Sequence, residues 1–293
     1  MSTAVVMPST NGKSASRGKV GQERTNWTAT VLLIIASLTV LMPLYVTVSM
    51  AFKTTQQSTD GNAFSLPNPF SISGFTEAWG LTNFPRAFLV SSIVTLVTVV
   101  GAILVSSMAS YAIVRNWDRK FFRYSFFYLL AAMFIPFPVV ALPQVRLTGI
   151  LGLDNFAGVI ILHIVFSLAF NTLLFTTFLR SIPLELEESM RMDGATTWQT
   201  FWKLIFPLLS PMAATVGIFA FLRSWNDFMM PSLIISTPEW QTIPVVNSIF
   251  QTQFSNSYNV SFASYLMAMA PAIVVYVFSQ RWVMSGLTQG AIK

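Results

Sequence analysis

Side chains that could do chemistry are few in this chain, and the densest group is acidic. Glu185, Glu187 and Glu188 lie within one short segment. Paired carboxylates can act as acid and base, but no nucleophile accompanies this group. Because the three glutamates follow Pro183, which suits the first turn of a helix, stabilisation by the positive end of the helix dipole explains them more simply. The sequence therefore predicts no catalytic residue and no enzyme activity in this chain.

A second polar group lies inside an apolar stretch. Arg223 and Asp227 are four residues apart, so they share one face of a helix, and Asn226 lies beside them. Charges at membrane depth are costly and face protein or water. One interpretation is a gate or polar pathway element. The other, which we favour because the cost is lower near the outer end of a span, is a salt bridge within the helix. His163 has no acidic residue in its own span, which favours a packed neutral histidine over a proton relay.

Bound metals and nucleotides are not expected. The chain has no cysteine and one histidine, which excludes disulfides, cysteine-based metal sites and multi-histidine metal sites. Gly12, Lys13 and Ser14 resemble the end of a P-loop, but Met7 occupies the position of the required earlier glycine and no strand precedes it. We expect the chain to bind no cofactor, and to bind neither ATP nor a metal by itself.

Composition indicates an integral membrane protein. Of the 293 residues, 54% are hydrophobic and 10% are charged, against about 25% charged in soluble domains. A spanning helix needs about 20 apolar residues. Six segments meet this length, which predicts an all-α protein with six transmembrane helices: Trp27–Phe52, Ala87–Val114, Tyr124–Val145, Asn155–Leu179, Leu204–Leu222 continuing toward Ile235, and Ser261–Gln280.

The N-terminal segment has a different composition. Residues 1–26 are rich in Ser, Thr, Gly and Lys and lack apolar periodicity, which predicts a disordered tail. The alternative for the first apolar stretch is a cleaved signal peptide. That stretch is too long for one and no suitable cleavage site follows it, so we expect an uncleaved first span and a transmembrane domain over residues 27–293.

Basic residues predict the orientation in the membrane. Nearly all lysines and arginines outside the spans fall on the side of the N-terminal tail, whereas Lys53, Arg86 and Arg146 fall on the other. Because basic loops stay in the cytoplasm, both termini should be cytoplasmic. The acidic segment then also faces the cytoplasm.

That cytoplasmic segment is predicted to form a folded hairpin, residues Ser181–Pro207. Gly194 suits a left-handed stop of the first helix, and Thr196 or Thr197 can cap a second helix. Pro207 should end the second helix at the membrane. Loops between spans are usually short and polar, so a folded amphipathic one indicates a docking surface for a partner.

The spacing within the hairpin resembles the conserved cytoplasmic loop of ABC importer permeases, in which E-A-A is followed by three residues, G, nine residues and I-x-L-P. Here the pattern reads Glu188-Ser189-Met190, Gly194 and Leu204-Ile205-Phe206-Pro207. Trp225-Asn226-Asp227-Phe228 and the C-terminal run from Gln280 to Lys293 are similar to two further signatures of the carbohydrate branch, specifically the smaller permease of maltose-type transporters.

The resemblance implies a type I importer permease with partners. These are a second permease, a cytoplasmic ABC ATPase dimer that binds ATP and Mg²⁺, and an extracytoplasmic sugar-binding protein, all at a prokaryotic cell membrane. A loop near Trp240–Asn259 would enter the binding protein. The C-terminal tail, with Gly286, Gly290 and Lys293, would reach the ATPase interface. The ATPase-docking residues would be Glu188, Ser189, Asp193, Gly194, Ala195 and Pro207.

Other functions remain open at this point. Within the importer family, the solute could be a modified sugar or a non-sugar such as glycerol phosphate. An ion-coupled secondary transporter would use charges inside its spans, where only His163, Arg223 and Asp227 are available. An intramembrane enzyme would need a nucleophile–base pair or a metal set, which the sequence lacks.

Overall fold

The computed structural model describes residues 26–252 and 257–289, and in this part of the chain all regular structure is helical. The predicted disordered tail falls almost entirely on residues 1–25, outside the described residues. The helices are α1 Trp27–Ala51, α2 Thr55–Asp60, α3 Ser73–Leu81, α4 Phe84–Arg115, α5 Lys120–Ala132, α6 Phe137–Ile150, α7 Phe156–Leu179, α8 Glu185–Met192, α9 Thr197–Thr200, α10 Phe206–Leu208, α11 Ser210–Trp225, α12 Met229–Ile234, α13 Ile243–Asn247, α14 Ile249–Thr252 and α15 Tyr258–Gln289.

Four of these helices are long and apolar enough to cross a membrane alone. They are α1, α4, α7 and the part of α15 up to Gln280. Two further pairs pass the same test together but are bent: α5 with α6 by 105°, and Thr197–Leu208 with α11 by 74°. Length and composition thus give four spans, or up to six if each bent pair crosses as one. In the predicted span Tyr124–Val145 the helix is interrupted between Ala132 and Phe137, where Pro136 and Pro138 lie and where prolines allow a kink.

The chain divides into two compact units at Leu44 and Tyr45. In the first unit, the described residues form most of α1, whose apolar side chains, such as Leu32 and Leu38, are largely exposed. A helix that is apolar on all sides and exposed requires lipid or a protein partner around it.

The second unit is organised around α4, α7 and α11. Small side chains line the α4–α7 contact: Ala102, Ser106 and Ser110 are buried, and a Cβ at Gly101 would collide with Ile164. The Ser110 hydroxyl also donates a hydrogen bond to the backbone carbonyl of Thr172 on α7, at 3.1 Å. Small residues allow helix backbones to approach closely, which is how membrane helices associate without a hydrophobic driving force.

One apolar cluster connects the three helices to the end of the hairpin. Its buried members are Tyr111 on α4, Phe175 and Leu179 on α7, Val216 on α11, Phe201 and Ile205 in the second half of the hairpin, and Leu209 just after it. Tyr111 and Phe201 contact each other directly, with ring centroids 5.4 Å apart. The hairpin is therefore packed against the ends of the long helices and is not a free loop.

Candidate functional site: the hairpin and a polar group between helices

The first helix of the hairpin, α8, ends in a Schellman motif. Gly194 has φ +83°, as predicted for a left-handed stop. Its N–H bonds to the carbonyl of Arg191 at 3.0 Å, and the N–H of Ala195 bonds to the carbonyl of Met190 at 3.0 Å. Free space surrounds the position that a Cβ of Gly194 would take. Backbone conformation, and not crowding within this chain, is thus what favours glycine here.

The second part of the hairpin begins at a capping box. The Thr196 hydroxyl accepts the backbone N–H of Gln199 at 3.3 Å, and the Gln199 side chain accepts the N–H of Thr196 at 2.8 Å. Of the two predicted caps, Thr196 is the one used. The four-residue α9 then continues into a π-helical turn, Phe201–Ile205.

The end of the second helix differs from the prediction. Pro207 does not end it: the helix continues to Leu208, and the sharp bend follows at Leu209. Pro207 has no N–H, so it cannot bond to the carbonyl of Lys203, and the preceding π-turn, with Phe206 N–H bonded to Phe201 O, accommodates that loss.

Most of the predicted docking residues are exposed. Glu188, Ser189, Asp193, Gly194 and Pro207 are exposed, and Ala195 is half-buried. Exposed apolar side chains accompany them, namely Leu184, Leu186, Met192 and Trp198, with Met192 at 89% exposure. We call the exposed surface of residues 184–198 the docking face. Exposed Met and Trp side chains are of the types that protein interfaces favour.

One carboxylate of the acidic cluster faces the protein interior and not the docking face. The Glu187 side chain is fully buried, and its Oε1 lies 2.6 Å from Arg115 Nη2 and accepts Arg115 Nε at 2.7 Å. Tyr111 donates its hydroxyl to Glu187 Oε2 at 2.9 Å. We call these three residues the Glu187 cluster. It connects α8 to the last turn of α4.

The interpretation that the helix dipole stabilises all three glutamates is wrong for Glu187. Dipole stabilisation suits Glu185 and Glu188, which are exposed, but Glu187 is held by a buried ion pair and a hydroxyl. A partial signal was present in the sequence: Tyr111 and Arg115 are four apart and share a helix face. Glu187 is 72 residues further along the chain than Arg115, so residue spacing could not predict the contact between them.

The polar group on α11 also differs from the favoured interpretation. In the described residues Arg223 and Asp227 form no ion pair with each other. Asp227 Oδ2 instead lies 2.8 Å from His163 Nε2 on α7, and Asp227 Oδ1 accepts the N–H of Met229 at 3.0 Å at the start of α12. The helix ends at Trp225, so the four-residue spacing no longer places the two charges on one helical face.

His163 thus has an acidic partner from another element. Its Nδ1 lies 3.1 Å from the Ser224 hydroxyl, so both ring nitrogens have partners. The expectation of a packed, hydrogen-bonded histidine fits its 3% exposure. Asp227 was not predicted as the partner of His163 because the two residues are 64 positions apart and meet only through helix packing.

Other predicted site residues are less informative. Asn226 is exposed and donates its amide to the carbonyl of Leu222 at 2.8 Å. In the external segment, Trp240 packs on Phe156, with ring centroids 5.0 Å apart, and residues 253–256 lie outside the described residues. Gly286 lies on the final turns of α15, whereas Gly290 and Lys293 fall outside the described part.

Comparisons with known proteins agree with this architecture. Residues 101–289 match the family described as binding-protein-dependent transport system inner membrane component. The multiple sugar-binding transport system permease protein MsmG of Streptococcus mutans is 34% identical, covering 90% of this chain and 95% of that protein. The arabinooligosaccharides transport system permease protein AraQ of Halalkalibacterium halodurans is 32% identical, covering 80% and 81%.

A solved structure has the same fold. The crystal structure of a bacterial ABC transporter involved in the import of the acidic polysaccharide alginate contains a chain with a TM-score of 0.76 and 25% identity, covering 87% of this chain and 95% of that chain. Together with the family match, this shows that the chain belongs to the inner membrane components of binding-protein-dependent transport systems, the permease subunits of ABC importers.

Proposed function

We propose that this chain is one of two permease subunits of an ATP-driven carbohydrate importer in a prokaryotic cell membrane. Its relatives are named for multiple sugars and for arabinooligosaccharides, and its structural neighbour for alginate, which supports a carbohydrate as solute. The partners are a second permease, an ABC ATPase dimer that holds ATP and Mg²⁺, and an extracytoplasmic sugar-binding protein. This chain supplies part of the pore and binds no cofactor.

The main support for the proposal is that one short helix has exposed docking residues beside a buried ion pair. On α8, Glu188 and Ser189 are exposed on the docking face, whereas the neighbouring Glu187 is enclosed with Arg115. A helix of eight residues transmits a displacement only if it is fixed on both sides. The Glu187 cluster fixes it to α4, so movement of the ATPase against the docking face would move α4.

We further propose six spans with both termini in the cytoplasm. Each bent pair would contribute one crossing, the second of them through α11, so the docking face would lie on the cytoplasmic side. The absence of cysteine makes this directly testable. In sealed spheroplasts, Glu239→Cys should react with an impermeant maleimide added outside, and Trp198→Cys should react only after the membrane is opened. The reverse pattern would exclude this orientation.

The function is tested with the complete transporter. The chain is co-expressed with its partner permease, ATPase and binding protein and reconstituted in proteoliposomes. ATP hydrolysis and uptake are then measured with the binding protein incubated with neutral oligosaccharides, uronate oligosaccharides or glycerol 3-phosphate. We expect stimulation by an oligosaccharide. Stimulation by glycerol 3-phosphate alone would favour the non-sugar alternative, and uptake driven by an ion gradient without ATP would contradict the proposal.

A further inference from the structure

Arg223 lies where two cavities meet. The first, of about 350 Å³, lies among α5, α6 and α7, and its walls include Tyr128, Phe137, Phe166 and Phe170. The second, of about 380 Å³, is lined by Phe137, Asn226, Asp227 and Met229, among others. Phe137 and Arg223 line both, so the two cavities are adjacent, and we call them together the Arg223 groove.

The charge of Arg223 is not neutralised within the described part of the chain. No carboxylate there lies within ion-pair distance of it, and its Nη1 makes one long hydrogen bond, 3.5 Å, to the carbonyl of Phe166. Asp227, the nearest acid in sequence, is bonded to His163 and to the start of α12. A guanidinium has five N–H donors, so most of those on Arg223 remain available.

An available guanidinium at this depth needs a polar environment. Ionisable side chains inside membrane proteins face the bundle interior or water, because lipid cannot solvate them. The Arg223 side chain is exposed in this chain, and it opens into the groove. The aromatic walls beside it offer apolar faces, while Arg223 and Asn226 offer hydrogen-bond donors. Apolar surface with a few placed polar groups is the composition of a small-molecule site.

We propose that the Arg223 groove is a wall of the water-filled solute path and that Arg223 is a solute contact. The ligand chemistry is that of oxygen-rich groups, either the hydroxyls of a sugar or a carboxylate. This proposal rests on the proposed function for its solute. The solvation of the groove, however, can be measured without knowing what is carried.

Cysteine accessibility tests the water-filled groove in the assembled transporter. The native chain has no cysteine, so single substitutions report alone. The probe is methanethiosulfonate ethyltrimethylammonium, which reacts with thiolates in water. We expect Phe170→Cys and Met229→Cys to react in at least one of the nucleotide-free and ATP-bound states, and the control Leu38→Cys in α1 to remain unreactive. Groove cysteines as inert as the control in both states would overturn the proposal.

The charge of Arg223 is tested at the same position. Arg223 is the only charged residue that lines the first cavity in the described structure, so it should concentrate anions there. At Phe170→Cys, the ratio of reaction rates for the anionic ethylsulfonate and the cationic reagent should fall about threefold or more on Arg223→Gln, and stay high for Arg223→Lys. An unchanged ratio would mean that another subunit neutralises Arg223, and the contact would be rejected.

Uptake then distinguishes the two proposals. With Arg223→Gln we expect uptake of the carried solute to fall about tenfold while ATPase co-purification stays normal, with partial recovery for Arg223→Lys. Uptake unaffected by Arg223→Gln would reject the solute contact but leave the ATP-driven importer intact. If the groove cysteines react but uptake does not depend on ATP, the ATP-driven importer would be rejected and the water-filled groove would stand.

Discussion

Two groups of charged side chains lie between helices of this protein, and they are built differently. The Glu187 cluster is closed: its carboxylate is fully buried, both oxygens are occupied, and its Arg115 partner is 15% exposed. The group around Asp227 is open. Asp227 is held by His163 but keeps 22% exposure, and Arg223 has no acidic partner in the described structure.

This difference is why we propose a mechanical role for the first group and a place in the solute path for the second. A buried ion pair that loses one member leaves an uncompensated charge, so such a cluster holds two elements in a fixed relation. A charge left available in a groove costs more to maintain in the membrane and has no such structural role. Variants in each group test this contrast.

Removing the closed carboxylate should have the largest effect. Glu187→Ala leaves Arg115 without its partner, which costs about 3 kcal/mol of unfolding free energy. The measurement is denaturant unfolding in detergent, followed by tryptophan fluorescence. Glu185→Ala, an exposed neighbour, is the matched control and should change little. A loss no larger than that of the control would show that the cluster does not hold α8.

A double variant of the Glu187 cluster distinguishes the attachment of α8 to α4 from the presence of an ion pair. Replacing both partners by apolar residues, Glu187→Met with Arg115→Met, removes the buried charge and should recover most of the lost stability. If coupling depends on a fixed contact between α8 and α4, uptake per ATP hydrolysed should recover together with stability. Recovered stability without recovered coupling would assign a more specific role to the ion pair.

Gly194 should show the next largest effect. A Cβ at φ +83° costs about 1–2 kcal/mol, although nothing in the described residues would obstruct it. Gly194→Ala should therefore reduce the population of the native turn about tenfold, since 1.4 kcal/mol corresponds to a factor of ten, and ATP-coupled uptake should fall with it. Gly194→Asn, whose side chain tolerates this conformation, should lose less. Co-purification of the ATPase is the second measurement, and equal losses for both variants would point to steric contact with the partner.

Asp227→Asn should have a moderate effect. The amide oxygen can still cap α12 at Met229, but the charged bond to His163 is lost, at about 1 kcal/mol. We expect a lower unfolding midpoint with no change in the preferred solute. The exposed Asn226→Ala is the control. A changed order of solute preference would place Asp227 among the solute contacts as well.

Arg223→Gln should have the smallest effect on stability, within about 0.5 kcal/mol, because the side chain is exposed and has no acidic partner in the described residues. Its effect on uptake should nevertheless be large. A destabilisation similar to that of Glu187→Ala would show that Arg223 is held by a structural contact and would remove the contrast between the two groups.

Local features were predicted well from the sequence. The left-handed Gly194, the cap at Thr196 and the long apolar helices α4 and α7 depend on residues close in sequence. Predictions that assumed a continuous helix failed. Pro207 does not end its helix, and the helix end at Trp225 separates Arg223 from Asp227.

By itself, the sequence determined the membrane location, the helical class and the turns of the hairpin, because hydrophobic length and local capping patterns are properties of neighbouring residues. Only the tertiary structure decided the partners of the charged side chains between helices: Arg115 for Glu187, His163 for Asp227, and none in the described chain for Arg223. The physical reason is that a buried charge is stabilised by whichever residue packing brings within about 3 Å, and residues distant in sequence meet there only after the helices have packed.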